Sequence, residues 1–147
     1  MITSCLFLLL ATDLQQLIES IYPKNHRLRE TRMTDLVRHL AIQEGGRVAG
    51  IGCGNGEFSV ILSHVVGPTG KVWCEDISPR AAAVKRDHSK NITVVKGAGD
   101  DPKLPAGALV GVLIVNAYHE MPKYEAMLHH IRESLKPGGR PRDKHAW

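Results

Sequence analysis

The residues best suited to chemistry are the five of the turn Gly52-Cys53-Gly54-Asn55-Gly56. A strand-like run, Arg47 to Ile51, leads into it, and a helix-patterned run opens at Glu57. Glycine lets the chain turn tightly and lets a ligand reach backbone N–H groups with no side chain in the way. The helix N-terminus beyond adds further donors and a partial positive charge. Such a loop suits the pyrophosphate of a dinucleotide or the amino-acid end of S-adenosylmethionine. Dinucleotide loops follow G-x-G-x-x-G, whose last glycine allows close helix packing. Counted from Gly52 that last place holds Glu57, and counted from Gly50 it holds Asn55, so the spacing disfavours a nicotinamide-dependent oxidoreductase.

Three further groups fall at the ends of strand-like runs. Glu75-Asp76 closes the second run, the right distance beyond the glycines for an acid that accepts from both ribose hydroxyls. Asp76 is the residue expected there; the alternative is a solvated acidic turn or a cap for the helix that opens at Ser78-Pro79. Gly97-Ala98-Gly99-Asp100-Asp101 follows the third run, and Asp100 could accept from an adenine amino group or simply sit in a polar turn before Pro102. Asn116-Ala117-Tyr118-His119-Glu120 follows the fourth. Asn116 is read with the cofactor contacts, while Tyr118 and His119 could position or deprotonate an acceptor; His119 as a cap or packing residue is the alternative. His129 and His130 are adjacent in a helical run, point in different directions and have no nearby cysteine, so no metal site is expected.

The elements that must position these groups follow from hydrophobic spacing. Helices are expected over 12–21, 30–42, 57–66 and 122–135, with another opening at Pro79. Strands are expected over 47–51, 71–75, 91–96 and 109–115, the last nearly all apolar, as in a parallel strand covered on both faces. Strands alternating with helices imply a doubly wound, mainly parallel α/β sheet, Rossmann-like in architecture.

The 147 residues suffice for one compact domain. With 43% apolar and 23% charged residues the chain has a globular balance, and its formal charge of +4 is scattered with no basic run to mark a nucleic-acid surface. Cysteines 5, 53 and 74 are odd in number and fit no zinc or disulfide framework, so Cys53 and Cys74 read as small apolar fillers in a reduced, cytoplasmic protein. Cys5 to Ala11 is apolar but too short to span a membrane. Lacking a preceding basic residue and a cleavage site, it reads as a helix start, with export through a short signal as the alternative.

Taken in order, VAGIGCGNG (48–56), KVWCEDIS (71–78), DPKLPA (101–106), VNAYHEM (115–121) and RESLKPGGR (132–140) resemble the successive motifs of class I SAM-dependent methyltransferases, whose glycine loop has the G-x-G-x-G form. The resemblance covers about 28–140, leaving 1–27 as an N-terminal helical segment and 141–147 as an irregular tail. It implies S-adenosylmethionine as methyl donor, Gly52, Gly54 and Gly56 at its methionine end, Asp76 at its ribose, and transfer by in-line displacement to an unidentified, small-molecule acceptor. Three positions depart from the pattern. Gly50 stands where the family has an acidic residue, Val110 stands where an Asp is common, and the sequence after Gly139 is proline-broken rather than strand-like. The last implies a fold truncated after the fourth strand, which would leave 109–115 as an apolar edge open to self-association. A catalytically impaired SAM-binding or interaction module is the alternative to an active enzyme.

Overall fold

A computed structural model describes residues 14–24, 33–81, 90–114 and 121–143. They fall into two compact units divided between His39 and Leu40. The first contains helix α1, over 14–21, and helix α2, Met33–His39. In α1 the four-residue spacing of Leu14 and Ile18 puts two buried side chains on one face. Residues 30–32 lie outside the described residues, and helix α2 ends before the expected residue 42. The chain leaves the helix at Leu40, and Ala41 takes a left-handed conformation (φ 52°).

The second unit runs β1 (Arg47–Ile51), α3 (Glu57–Val66), β2 (Lys71–Asp76), a 3-10 turn (Pro79–Ala81), β3 (Ile92–Lys96), β4 (Leu109–Ile114), α4 (Tyr124–Ser134) and β5 (Leu135–Asp143). The five strands form one parallel sheet in the order β3-β2-β1-β4-β5. The expected Rossmann-like architecture is therefore present. From β1 the chain builds outward through β2 to β3, then returns to the other side of β1 for β4. That reversal opens a crevice at the C-terminal ends of the strands, where ligands of such sheets bind.

Strand alternation assigns the two faces. Ala49, Ile51, Trp73, Val112 and Ile114 share one face with Met127 and Ile131 of α4. The register pairs Ala49 with both Trp73 and Val112, and Ile51 with Ile114, so these side chains stack across neighbouring strands. On the opposite face Gly50 approaches Ser59 of α3, and Gly111 approaches Leu40. Helix α3 buries Phe58, Val60, Ile61, Leu62 and Val66. Its C-terminus is closed by Asn91, whose amide donates to the carbonyls of Ser63 (3.1 Å) and Gly67 (2.8 Å) and whose Oδ1 accepts from the Ser63 hydroxyl (2.7 Å). One side chain thus meets three polar groups at the helix end, where the Ser63 carbonyl also accepts from Gly67 N–H (3.1 Å).

Two expectations are corrected here. Residues 135–143 do form a strand, and β5 pairs in parallel with β4, Gly111 opposite Arg140 and Ile114 opposite Asp143, with an irregularity between Leu109 and Gly111. Pro137 and Pro141 hid it, because proline lacks a ladder donor. An edge strand tolerates proline, since one row of its N–H groups has no partner, and β5 is at the sheet's edge. Strand β4 therefore lies between β1 and β5 and is not the exposed edge through which self-association was expected. The second correction concerns Cys53 and Cys74, which are joined in a disulfide with 5.6 Å between their Cα atoms. Sequence spacing says nothing about this, since the contact arises only when the glycine loop folds back over the end of β2.

Candidate functional site

The glycine loop leaves the C-terminal end of β1 at the point where the strand order reverses. Gly52, Gly54 and Gly56 have φ of 64°, 55° and 81°, a left-handed region in which a Cβ clashes with its own backbone. At Gly54 an added Cβ would meet nothing within 4 Å, so that residue is glycine for its conformation and borders open space. Gly56 caps α3 with no side-chain hydrogen bond, and the positive end of the helix dipole faces the loop.

Three consecutive loop residues are tied to the end of β2. Gly52 N–H donates to Glu75 Oε2 (3.3 Å), Cys53 N–H to the Glu75 carbonyl (2.9 Å), and Gly54 N–H to Asp76 Oδ2 (2.7 Å). Asp76 Oδ1 also accepts from Ser78 N–H (2.8 Å). A carboxylate offers about four acceptor positions, so Asp76 braces the loop and keeps capacity for a further donor. The structure thus brings Gly52, Gly54 and Asp76 together, as their spacing led us to expect.

Glu75 and Asp76 are adjacent but differ in kind. Alternation along β2 turns Glu75 to the face of Trp73 and Ile51, where it is 2% exposed. Its Oε1 has no hydrogen-bond partner, and the absence of a side chain at Gly97, at the end of β3, makes room for the carboxyl. Burial raises its pKa from 4.5 to about 7; the neighbouring charge of Asp76 adds to the rise, and the Gly52 N–H opposes it. Sequence reading set Glu75 aside in favour of Asp76. The period-2 pattern of β2, with Trp73 inward, was the signal that would have placed Glu75 in the interior.

Asp100 lies on the loop after β3, half exposed, 3.8 Å from Lys123 Nζ at the start of α4. The loop is closed by reciprocal hydrogen bonds between Ala98 and Asp101. Asn116, Tyr118 and His119 lie outside the described residues. One residue was missed. Ile77, next to Asp76 and just past the end of β2, is 62% exposed, the most exposed of the large apolar side chains described. His129 and His130 both lie 3.3 Å from the carboxylate of Glu133. An open depression lined by His64, Lys71, Lys90 and Asn91 is at the other end of β2, away from the glycine loop, and its Asn91 is committed to α3.

A glycine loop, an acid at the end of the neighbouring strand and a reversal of strand order between them are the features expected of a nucleotide-cofactor crevice. The methyltransferase-domain profile matches residues 48–139, and the chain belongs to that family. It is 31% identical over 133 residues to a demethylmenaquinone methyltransferase of Lactococcus lactis, a match covering 84% of this chain and 53% of the relative. A demethylmenaquinone methyltransferase of Geobacillus stearothermophilus is 26% identical over 110 residues, covering 71% of this chain and 47% of the relative. The chain therefore spans about half the length of the curated relatives it matches. Among solved structures, a SAM-dependent methyltransferase from Aquifex aeolicus superimposes with a TM-score of 0.69 at 22% identity, over 86% of this chain and 68% of that one. An arsenic(III) S-adenosylmethionine methyltransferase from Chlamydomonas reinhardtii does so with a TM-score of 0.61 at 24% identity, over 69% and 39%. These likenesses establish the fold.

Proposed function

We propose that this chain binds S-adenosylmethionine across the C-terminal ends of β1, β2 and β3 and serves methyl transfer to a small-molecule acceptor. The observation that carries the reading is the hydrogen bond from Gly54 N–H to Asp76 Oδ2, which holds the loop and the acid on one crevice. Gly52, Gly54 and Gly56 would surround the amino-acid end, where the α3 N-terminus offers donors for its carboxylate. Asp76 would take the ribose hydroxyls through its remaining acceptor positions. The exposed face of Ile77 would lie against the adenine, with Asp100 accepting from its amino group and Asn116 completing the contacts. When bound, the cofactor supplies an activated methyl group on a positively charged sulfur.

Tyr118 and His119, just beyond β4, are assigned to the acceptor. Their roles are to orient its nucleophilic atom and to hold or remove its proton. Positioning of this kind supplies most of the acceleration in a transfer between two bound groups. Demethylmenaquinone, named in the relatives, is the first acceptor to test. A cytoplasmic setting goes with this reading, and among the described residues no helix is long and apolar enough to cross a membrane.

A specific observation favours a second reading, a module that binds the cofactor without catalysis. Gly50 replaces the family's acidic residue, and the Ser59 hydroxyl it faces is buried without a partner, so a carboxylate that would help orient the cofactor's amino group is missing. Incubation with S-adenosylmethionine labelled in its methyl group, with demethylmenaquinone as acceptor, separates the two. Labelled quinone supports the enzyme, and binding without label in any product supports the module.

A further inference from the structure

The Cys53–Cys74 bridge joins the glycine loop to β2. Cys53 is the central residue between Gly52 and Gly54, and Cys74 is on β2, one residue before the buried Glu75. Gly50 is the register partner of Cys74 on the adjacent strand, and a Cβ at Gly50 would lie 3.9 Å from Cys53 Cβ and 3.2 Å from Ser59 Oγ. The tight contact is with Ser59, whereas the distance to Cys53 is ordinary van der Waals contact, so the bridge packs directly beside Gly50.

We propose that Cys53 and Cys74 form a thiol–disulfide switch that controls the cofactor loop, with the oxidised form the better binder. The proposal rests on the cofactor reading given above. In the disulfide form the loop is held to β2 covalently as well as by the hydrogen bonds of Gly52, Cys53 and Gly54. Reduction leaves only those hydrogen bonds, and a looser loop must be ordered again each time the cofactor binds. Cys53 is partly exposed whereas Cys74 is fully buried, so external reagents meet Cys53 first. In oxidation, the Cys53 thiolate attacks one sulfur of a low-molecular-weight disulfide such as oxidised glutathione, whose S–S bond breaks and releases one thiol. Cys74 then attacks Cys53 Sγ, displacing the second thiol. The chain loses two thiol protons and two electrons, and the external disulfide becomes two thiols. Reduction by a dithiol runs the same exchange backwards.

The experiment uses the full chain equilibrated with dithiothreitol or with oxidised glutathione. Thiols are counted by alkylation and intact mass, with peptide mapping to set Cys5 apart, and S-adenosylhomocysteine affinity is measured by calorimetry in both states. The expected result is a Cys53–Cys74 link only in the oxidised sample, and affinity roughly tenfold weaker after reduction, the factor that corresponds to 1.4 kcal/mol. Cys53→Ala, at the more exposed partner, should give one weaker affinity that no longer responds to the redox state. Two free thiols in the oxidised sample, or equal affinity in both states, would overturn the switch while leaving the cofactor reading intact. Failure of S-adenosylhomocysteine to bind in either state would overturn the cofactor reading, and the switch with it.

Discussion

Replacing Glu75 with glutamine removes one buried charge and little else, because the amide oxygen can still accept from Gly52 N–H. Glu75 is 2% exposed, has one unpartnered oxygen and has its pKa raised from 4.5 to about 7, first by burial. For an acid with a raised pKa the folded chain holds the proton more tightly than the unfolded one between these two values. The associated stability is fully present below pH 4.5 and is lost as pH rises through 7. At 1.36 kcal/mol per pKa unit, the rise corresponds to about 3 kcal/mol in all, of which roughly 2–3 kcal/mol falls between pH 5 and 8. That is a large share of a typical domain's stability. Urea unfolding of the wild type and Glu75→Gln at pH 5, 6, 7 and 8 measures it, since every other ionisable group is common to both. The wild type should lose 2–3 kcal/mol relative to the variant over that range, so that Glu75→Gln is the more stable protein at pH 8. Parallel pH profiles would mean that Glu75 titrates alike in the folded and unfolded chain, in contact with water.

Three further substitutions probe the site and its support. Asp76→Ala removes the acceptor of Gly54 N–H and Ser78 N–H. With one charge-assisted bond to the ribose also lost, worth about 1.5–3 kcal/mol, S-adenosylhomocysteine affinity should fall roughly ten- to hundredfold in calorimetry. Gly54→Ala forces a side chain into the left-handed region (φ 55°) beside open space; a loss of about 1–2 kcal/mol in urea stability is expected, with a larger loss in cofactor affinity than in stability. Ile131→Ala, at a fully buried α4 position under the sheet, should cost about 2–5 kcal/mol by urea unfolding, while any protein that remains folded keeps its cofactor affinity.

Much of the fold was legible because parallel strands buried on both faces spell themselves out as short apolar runs. Leu109 to Ile114 is the clearest case, and β1 and α3 were bounded to the residue. Strand β5 was hidden because its own residues, Leu-Lys-Pro-Gly-Gly-Arg-Pro-Arg-Asp, carry no strand pattern; pairing with the unsatisfied edge of β4 makes them extended. At the site, the glycine loop and Asp76 could be read from type and spacing, since each has a conformational or chemical requirement that few other residues meet. What spacing could not give was direction. Whether Glu75 or Asp76 faces the crevice depends on strand parity, and the Cys53–Cys74 bridge depends on a fold-back that places residues 21 apart side by side. Gly50 looked like a loss on the strand alone; the structure adds that a side chain there would press on Ser59 of α3.

The crevice formed by Gly52, Gly54, Gly56 and Asp76 should take S-adenosylmethionine rather than a dinucleotide. Isothermal calorimetry of the full chain with S-adenosylhomocysteine and, separately, with NAD decides between the two. Micromolar, one-to-one binding of S-adenosylhomocysteine that Asp76→Ala weakens is expected, with no heat from NAD. Binding of NAD, or S-adenosylhomocysteine binding that Asp76→Ala leaves unchanged, would rule this crevice out as a site for S-adenosylmethionine.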